Sequence, residues 1–232
     1  MSDFLDQFAR LDDERAAEVA RRVEAGEAAA GVGAALGLDP VGVVAALARA
    51  ALGPDDGAGP MLVQVAPGRP RLAEAVADEA TLDTLFPRAS LPARLALRAG
   101  LLQVLDAWDE SHAAAQEADD LGEGATSAAW HMVAHRREPD PSNARYWARR
   151  VPAATLAPLG GLLAGLIPPP GADPALADRL LATVRPVYNP ATMIDLCTRA
   201  RPGSAEEAFA RRAQRIELLG LLAASAAIAG RS

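Results

Sequence analysis

The chain has 232 residues, half of them hydrophobic and only 4% aromatic. A sizeable core therefore has to be built from Ala, Leu and Val, and Ala and Leu favour helix over strand. All 23 basic residues are arginine, which removes Schiff-base catalysis by lysine and the phosphate-binding lysine of a P-loop. The net charge of −7 gives no overall attraction to nucleic acid or to an anionic membrane. The single cysteine, Cys197, leaves no intramolecular disulfide and no Cys-rich metal site.

The opening segment is acidic and has no apolar stretch of the kind a secretory signal needs. Hydrophobic spacing predicts a first helix from Asp3 to Glu24, with Phe4, Phe8, Leu11, Ala16 and Val19 near one face. Two short helices, Glu27–Leu36 and Pro40–Leu52, follow across a break at Gly37-Leu38-Asp39-Pro40. Asp39 is expected to cap the second helix and Pro40 to fill its first position. The pair has the outline of a helix-turn-helix. However, residues 1–50 carry nine acids against five arginines, and the second helix offers only Arg49. A packing or dimerising appendage over residues 1–53 is the plainer expectation, and nucleic acid is not the expected partner.

Residues 54–70 read as a linker, with a short extended piece at Met61–Val65, and residues 71–232 as the main helical domain. Further helices are expected at Arg71–Ala80, Leu91–Ala118, Ser127–Arg137, Ser142–Arg150, Ala154–Ile167, Pro174–Val184, Pro190–Arg199 and Ala205–Ile228. Asp140-Pro141 and Asn189-Pro190 each place a capping side chain before a first-turn proline. Ser204 and Glu207 form a capping box. The expected fold is all-α, a helical bundle with a small N-terminal helical appendage. The longest apolar runs are about half the ~20 residues of a membrane span, so a cytoplasmic protein without a membrane partner is expected.

All three histidines, His112, His131 and His135, and all three tryptophans, Trp108, Trp130 and Trp147, fall between positions 108 and 147. His131 and His135 are four apart on an expected helix, so both project from one face. That is the spacing by which a helix offers two imidazoles to one metal ion. His112 lies on the preceding helix, and the acidic, glycine-containing stretch after it is short enough to turn the chain back. Three converging imidazoles with open coordination positions fit a catalytic transition metal, Zn or Fe. Asp109, Glu110 and Glu138 are the candidate bases or orienting carboxylates. The alternative for the same residues is a set of structural histidines, bonded to nearby carboxylates and tying helices together.

Charge is polarised along this region. Residues 106–123 hold seven acids and no arginine, whereas residues 136–150 hold five arginines against Glu138 and Asp140. Either the two stretches pair internally, or the basic one binds an anion. In the second case Arg136, Arg137 and Arg145 would grip a carboxylate or phosphate, and Trp130, Tyr146 and Trp147 would stack on or wall the ligand.

The runs Gly100–Gln103, Asp109–His112, Trp130-His131, His135–Pro141, Asn143-Ala144 and Tyr146-Trp147 resemble a bacterial protein family with a WHxxxHRREPDxxNAxYW signature. The resemblance extends from about Arg71 to the C-terminus. It implies no activity, fold or ligand. What it does imply is that this segment is a shared core and that the first fifty residues are an addition. Two expectations follow for function. One is a metal-dependent enzyme, hydrolytic or oxygen-using, acting on a small anionic substrate. The other is a metal-free helical ligand-binding or interaction module, with the last helix as core or as a homo-oligomer face.

Overall fold

The computed structural model describes residues 2–53, 59–180 and 187–231. It is an all-α fold, with fourteen helices and no strand among the described residues. The expected first helix is two: α1 (Ser2–Arg10) and α2 (Asp13–Glu24). The break is an N-cap, because the Asp12 carboxylate accepts from the backbone N–H of Arg15 at 2.6 Å. Next come α3 (Ala29–Leu36) and α4 (Pro40–Leu52), the latter capped by Asp39 accepting from Gly42 N–H at 2.7 Å.

Seven consecutive residues of α4, Gly42–Ala48, are buried. Its Arg49 bonds Asp13 at 2.7 Å and lies over the Phe8 ring. The helix that a helix-turn-helix would lay on DNA is thus spent inside the molecule. A single apolar cluster runs from Phe4 through α4 to the C-terminal helix, so packing is continuous across the boundary expected near residues 54–70. Met61 and Leu62, in that stretch, form a strap. The Met61 carbonyl accepts from Gln214 at 3.0 Å, and Gln64 N–H donates to the Arg137 carbonyl at 2.9 Å.

Beyond the strap, α5 (Pro70–Ala77) and α6 (Glu79–Leu85) replace the single helix expected at Arg71–Ala80, with Asp78 capping the second. The long helix expected at Leu91–Ala118 is also two: α7 (Leu91–Val104) and α8 (Trp108–Asp120). Asp106 sits at φ 62, in the left-handed region. Ala107 N–H donates to the Leu102 carbonyl at 3.0 Å and Asp106 N–H to the Gln103 carbonyl at 3.3 Å. This is the Schellman pattern of helix termination, with aspartate where glycine is usual. The turn lets α8 pack against α7 instead of prolonging it.

Then follow α9 (Ser127–Arg137), α10 (Pro141–Ala148), α11 (Ala153–Leu163), α12 (Leu176–Leu180), α13 (Pro190–Arg199) and α14 (Ala205–Ala229). The expected end of the twelfth helix, Val184, lies outside the described residues. Cys197 is a part-buried thiol on α13, and burial pushes its pKa up to about 11, as expected of a structural cysteine. The 25-residue α14 packs on α1, α7, α11 and α13, so its apolar run is core. No single helix among the described residues is long and apolar enough to cross a membrane.

At the centre is α9, all of whose eleven residues are buried. Trp130 packs so tightly on α7 that a Cβ on Gly100 would lie 2.4 Å from its ring, and its indole N–H donates to Ser225 Oγ on α14 at 3.0 Å. Arg136 points to α14, where the fully buried Glu217 accepts from it at 3.0 Å. Glu217 also accepts from the Tyr188 hydroxyl. Burial lowers the Arg136 pKa, but the charge and hydrogen bond of Glu217, together with the fields of Cys197 and Tyr188, raise it overall. Arg137 points to the α7–α8 turn and donates to the Gln103 carbonyl at 2.9 Å, to Gln103 Oε1 at 3.0 Å and to the Asp106 carboxylate.

Arg137 is almost wholly buried, so Asp106→Asn leaves a buried guanidinium without its counter-charge. Removing one partner of such a pair costs about 3 kcal/mol. Asparagine tolerates the left-handed φ at least as well as aspartate, so backbone strain does not confuse the result. Urea melts should show the loss. A change below about 0.5 kcal/mol, typical of an exposed pair, would mean that this turn is held by its backbone alone.

Candidate metal centre

His131 and His135 leave α9 one turn apart with nearly parallel rings, 5.9 Å between centroids and 6° between planes. His112, in the second turn of α8, comes edge-on to both, at 4.8 Å from His131 and 4.9 Å from His135. The three imidazoles each offer a nitrogen, and these atoms lie within 4.8 Å of one another. His112 Nε2 is 3.3 Å from His135 Nε2. The convergence of His112 from α8 with the pair on α9 agrees with the spacing argument. Only the route differs, because the reversal at Asp106 is what presents α8 to α9.

Aromatic planes hold these rings. Trp147 on α10 stacks on His131 at 3.9 Å, and Trp108 stacks on His112 at 5.1 Å. The Trp108 indole N–H donates to the Ala134 carbonyl at 2.8 Å, pinning α8 to α9 beside the cluster. His135 is oriented through its other nitrogen: Nδ1 lies 2.8 Å from Glu138 Oε2. If Nδ1 carries the proton, Glu138 accepts it and the Nε2 lone pair faces the other two histidines. Asn143 on α10 brings its side-chain nitrogen to 3.3 Å from the same Nδ1. The sequence marked Asn143 only as part of the NAxYW run, with no role attached.

His131 differs from its neighbours. It is fully buried, and among the described residues neither Nδ1 nor Nε2 has a hydrogen-bond partner. Burial pushes its pKa down to about 3, helped by the fields of His112, His135 and Arg150. Burial, and then His135, also lower that of His112, which stays partly exposed.

The remaining expected site residues are dispersed. Asp109 and Glu110 are exposed in the first turn of α8, and among the described residues neither bonds a histidine, so neither is placed as a base. Glu138 terminates α9 and is engaged with His135 as an orienting carboxylate. Trp130 faces the core and walls no open site. Arg136 and Arg137 are consumed by buried partners, and Arg145 pairs with Asp195 on α13. The two charged stretches also meet directly, through Arg137 with Asp106 and Arg150 with Asp119 at 3.2 Å. Tyr146 is exposed at the rim, and Arg150 lies over both its ring and that of Trp147. Arg150 is therefore the member of the basic stretch that adjoins the histidines, packed against the outer aromatic wall.

Comparison with protein-family models, with curated protein sequences and with solved structures yields no match.

The environment of His131 has a consequence for stability. In the unfolded chain a histidine titrates near 6.5, whereas folded His131 titrates near 3. Between these values the unfolded state binds a proton that the native state does not, so stability must fall as pH drops below 6.5. In the presence of a chelator, the melting temperature of the wild-type protein is expected to decline over this window. His131→Gln, which cannot take up that proton, is expected to give a flatter profile. Parallel profiles for the two proteins would show that His131 is protonated without penalty in the fold.

Proposed function

We propose that the protein is a metal-dependent enzyme whose ion is held by His112, His131 and His135. The observation that carries this reading is the bare pair of nitrogens on His131. A buried polar group left unsatisfied costs about 1–3 kcal/mol, and such groups are rare enough in folded proteins to require a cause. Two other imidazoles stand within reach of it. A Zn²⁺ or Fe²⁺ ion bound by one nitrogen of each would answer the lone pair of His131, one of its two bare nitrogens, and would take the place of the contact between His112 and His135.

The rest of the site supports the same reading. The carboxylate behind His135 is the partner that ligating histidines use to fix their tautomer and increase their basicity. The depressed pKa values of His131 and His112 keep both rings neutral, the form that binds metal. Three imidazoles leave coordination positions free for water and substrate, and an ion held in that way supplies Lewis-acid chemistry. Trp108 and Trp147 limit the rotation of the rings they cover. The partly exposed His112 marks the side from which a substrate would approach. Two outcomes remain within the proposal, separated by the identity of the ion: zinc would favour hydrolysis, and ferrous iron would favour oxygen chemistry.

One observation favours the competing reading of a metal-free module with structural histidines. His112 and His135 already contact each other at 3.3 Å, as a hydrogen-bonded pair of neutral rings would. Elemental analysis of untagged protein separates the two. One equivalent of a transition metal is expected, lost in His131→Ala and restored to wild type after chelation by zinc or ferrous iron. Metal-free protein that takes up no ion on reconstitution would overturn the enzyme reading and leave the histidines as structural.

A further inference from the structure

A cleft of about 640 Å³ opens between α12, α13 and the start of α14, within the size range of small-molecule sites, roughly 300–1,000 Å³. It stands apart from the three histidines. Its apolar wall is made by Leu176 and Leu196, and its polar wall includes Thr192 and three arginines, Arg179, Arg199 and Arg201. Two acids, Asp195 and Glu206, also line it.

The charges on this wall are not equally committed. Arg179 donates to Asp173 at 2.7 Å, and Asp195 accepts from Arg145. Among the described residues, Arg199 and Arg201 have no ion-pair partner. Glu206 is left as the one acid to set against these two cations. The backbone that carries them is fixed. Arg199 is the last residue of α13, and Ser204 N–H donates to the Arg201 carbonyl at 3.0 Å. Gly203, at φ 77, donates its N–H to Glu207 at 2.6 Å, and Glu207 N–H donates to Ser204 Oγ at 3.1 Å. The turn is therefore closed at both ends before any ligand arrives, which limits the ordering cost of binding.

We propose that this cleft is a binding site for a small-molecule anion with an apolar body: a carboxylate, phosphate or sulfonate carried on a ring or chain. The charged group lies between Arg199 and Arg201, where guanidinium groups present paired donors to planar or tetrahedral oxyanions. The apolar body packs on Leu176 and Leu196, so a bare inorganic anion would use only half of the site. The site is independent of the histidine centre. Among the described residues, Arg145 is the one member of the basic stretch 136–150 joined to its wall by an ion pair, through Asp195.

The test uses anilinonaphthalene sulfonate as the amphipathic anion and uncharged anilinonaphthalene as its counterpart. Both are titrated by fluorescence into the full chain in the presence of a chelator, so that the state of the histidine centre does not enter. Saturable one-to-one binding of the sulfonate is expected. Arg199→Ala/Arg201→Ala should weaken it by about tenfold or more, the worth of a hydrogen bond to a charged group. The uncharged dye should bind wild type more weakly than the sulfonate does, and equally to both proteins. Both arginines are exposed, so the double variant is expected to keep the wild-type melting temperature. Absence of saturable sulfonate binding, unchanged affinity in the double variant, or equal affinity for the two dyes would each overturn the assignment.

Discussion

A buried positive charge has to be answered where it lies, and the Arg137 guanidinium is answered by three pieces of chain at once. It bonds the last turn of α7, the aspartate that reverses the chain into α8, and the Met61 carbonyl of the strap that crosses beneath α9. Exposed ion pairs contribute little because water screens them. This one is sheltered, and leaving any of its partners unmade would strand charge in a low-dielectric interior. The α7–α8 reversal is in turn what brings His112 to the two histidines of α9. The arginine that looked like a ligand for substrate is thus a condition for the site's existence.

The four residues His135, Arg136, Arg137 and Glu138 show how densely α9 is used. Successive helix positions are rotated by about 100°. Consecutive side chains therefore serve the histidine cluster, the Glu217–Tyr188 pair against α14 and the α7–α8 turn, and Glu138 closes back on His135. Trp130, five residues earlier, adds a contact to α7 and a hydrogen bond to α14. A helix committed on every side has no polar face to reveal it by periodicity, and its boundaries were legible instead from its neighbours and from its ends.

Much of the architecture could be read from local chemistry. Asp39, Asn189 and Ser204 cap the helices they were expected to cap, because a side-chain acceptor before a first-turn proline or a capping box acts within a few residues. The split at Asp12 had its signal in the acidic pair that follows Leu11, but the continuing apolar stripe masked it. The split at Asp106 had only a faint one, since aspartate enters the left-handed region more readily than most residues but stands in ordinary helix far more often. The histidine convergence was legible because the i, i+4 spacing and a short return segment are local. The fates of the arginines were not. Arg136 is answered by a glutamate 81 positions away, and an excess of charge in a segment says nothing about which distant element will neutralise it.

The crowding of α9 also bears on which changes to the gene this fold can absorb. An extra residue within α9 would rotate everything after it by about 100°. His135 would then face α14, Arg136 would face the α7–α8 turn, and Arg137 would face the histidines. No single compensating substitution elsewhere could restore three separate partners. A length change in an exposed connection, by contrast, adds only loop entropy, about 0.6 kcal/mol for each doubling. Along this chain, then, α9 should admit substitutions at some positions but insertions and deletions at none, and its eleven-residue frame is the part of the protein that descent can least easily edit.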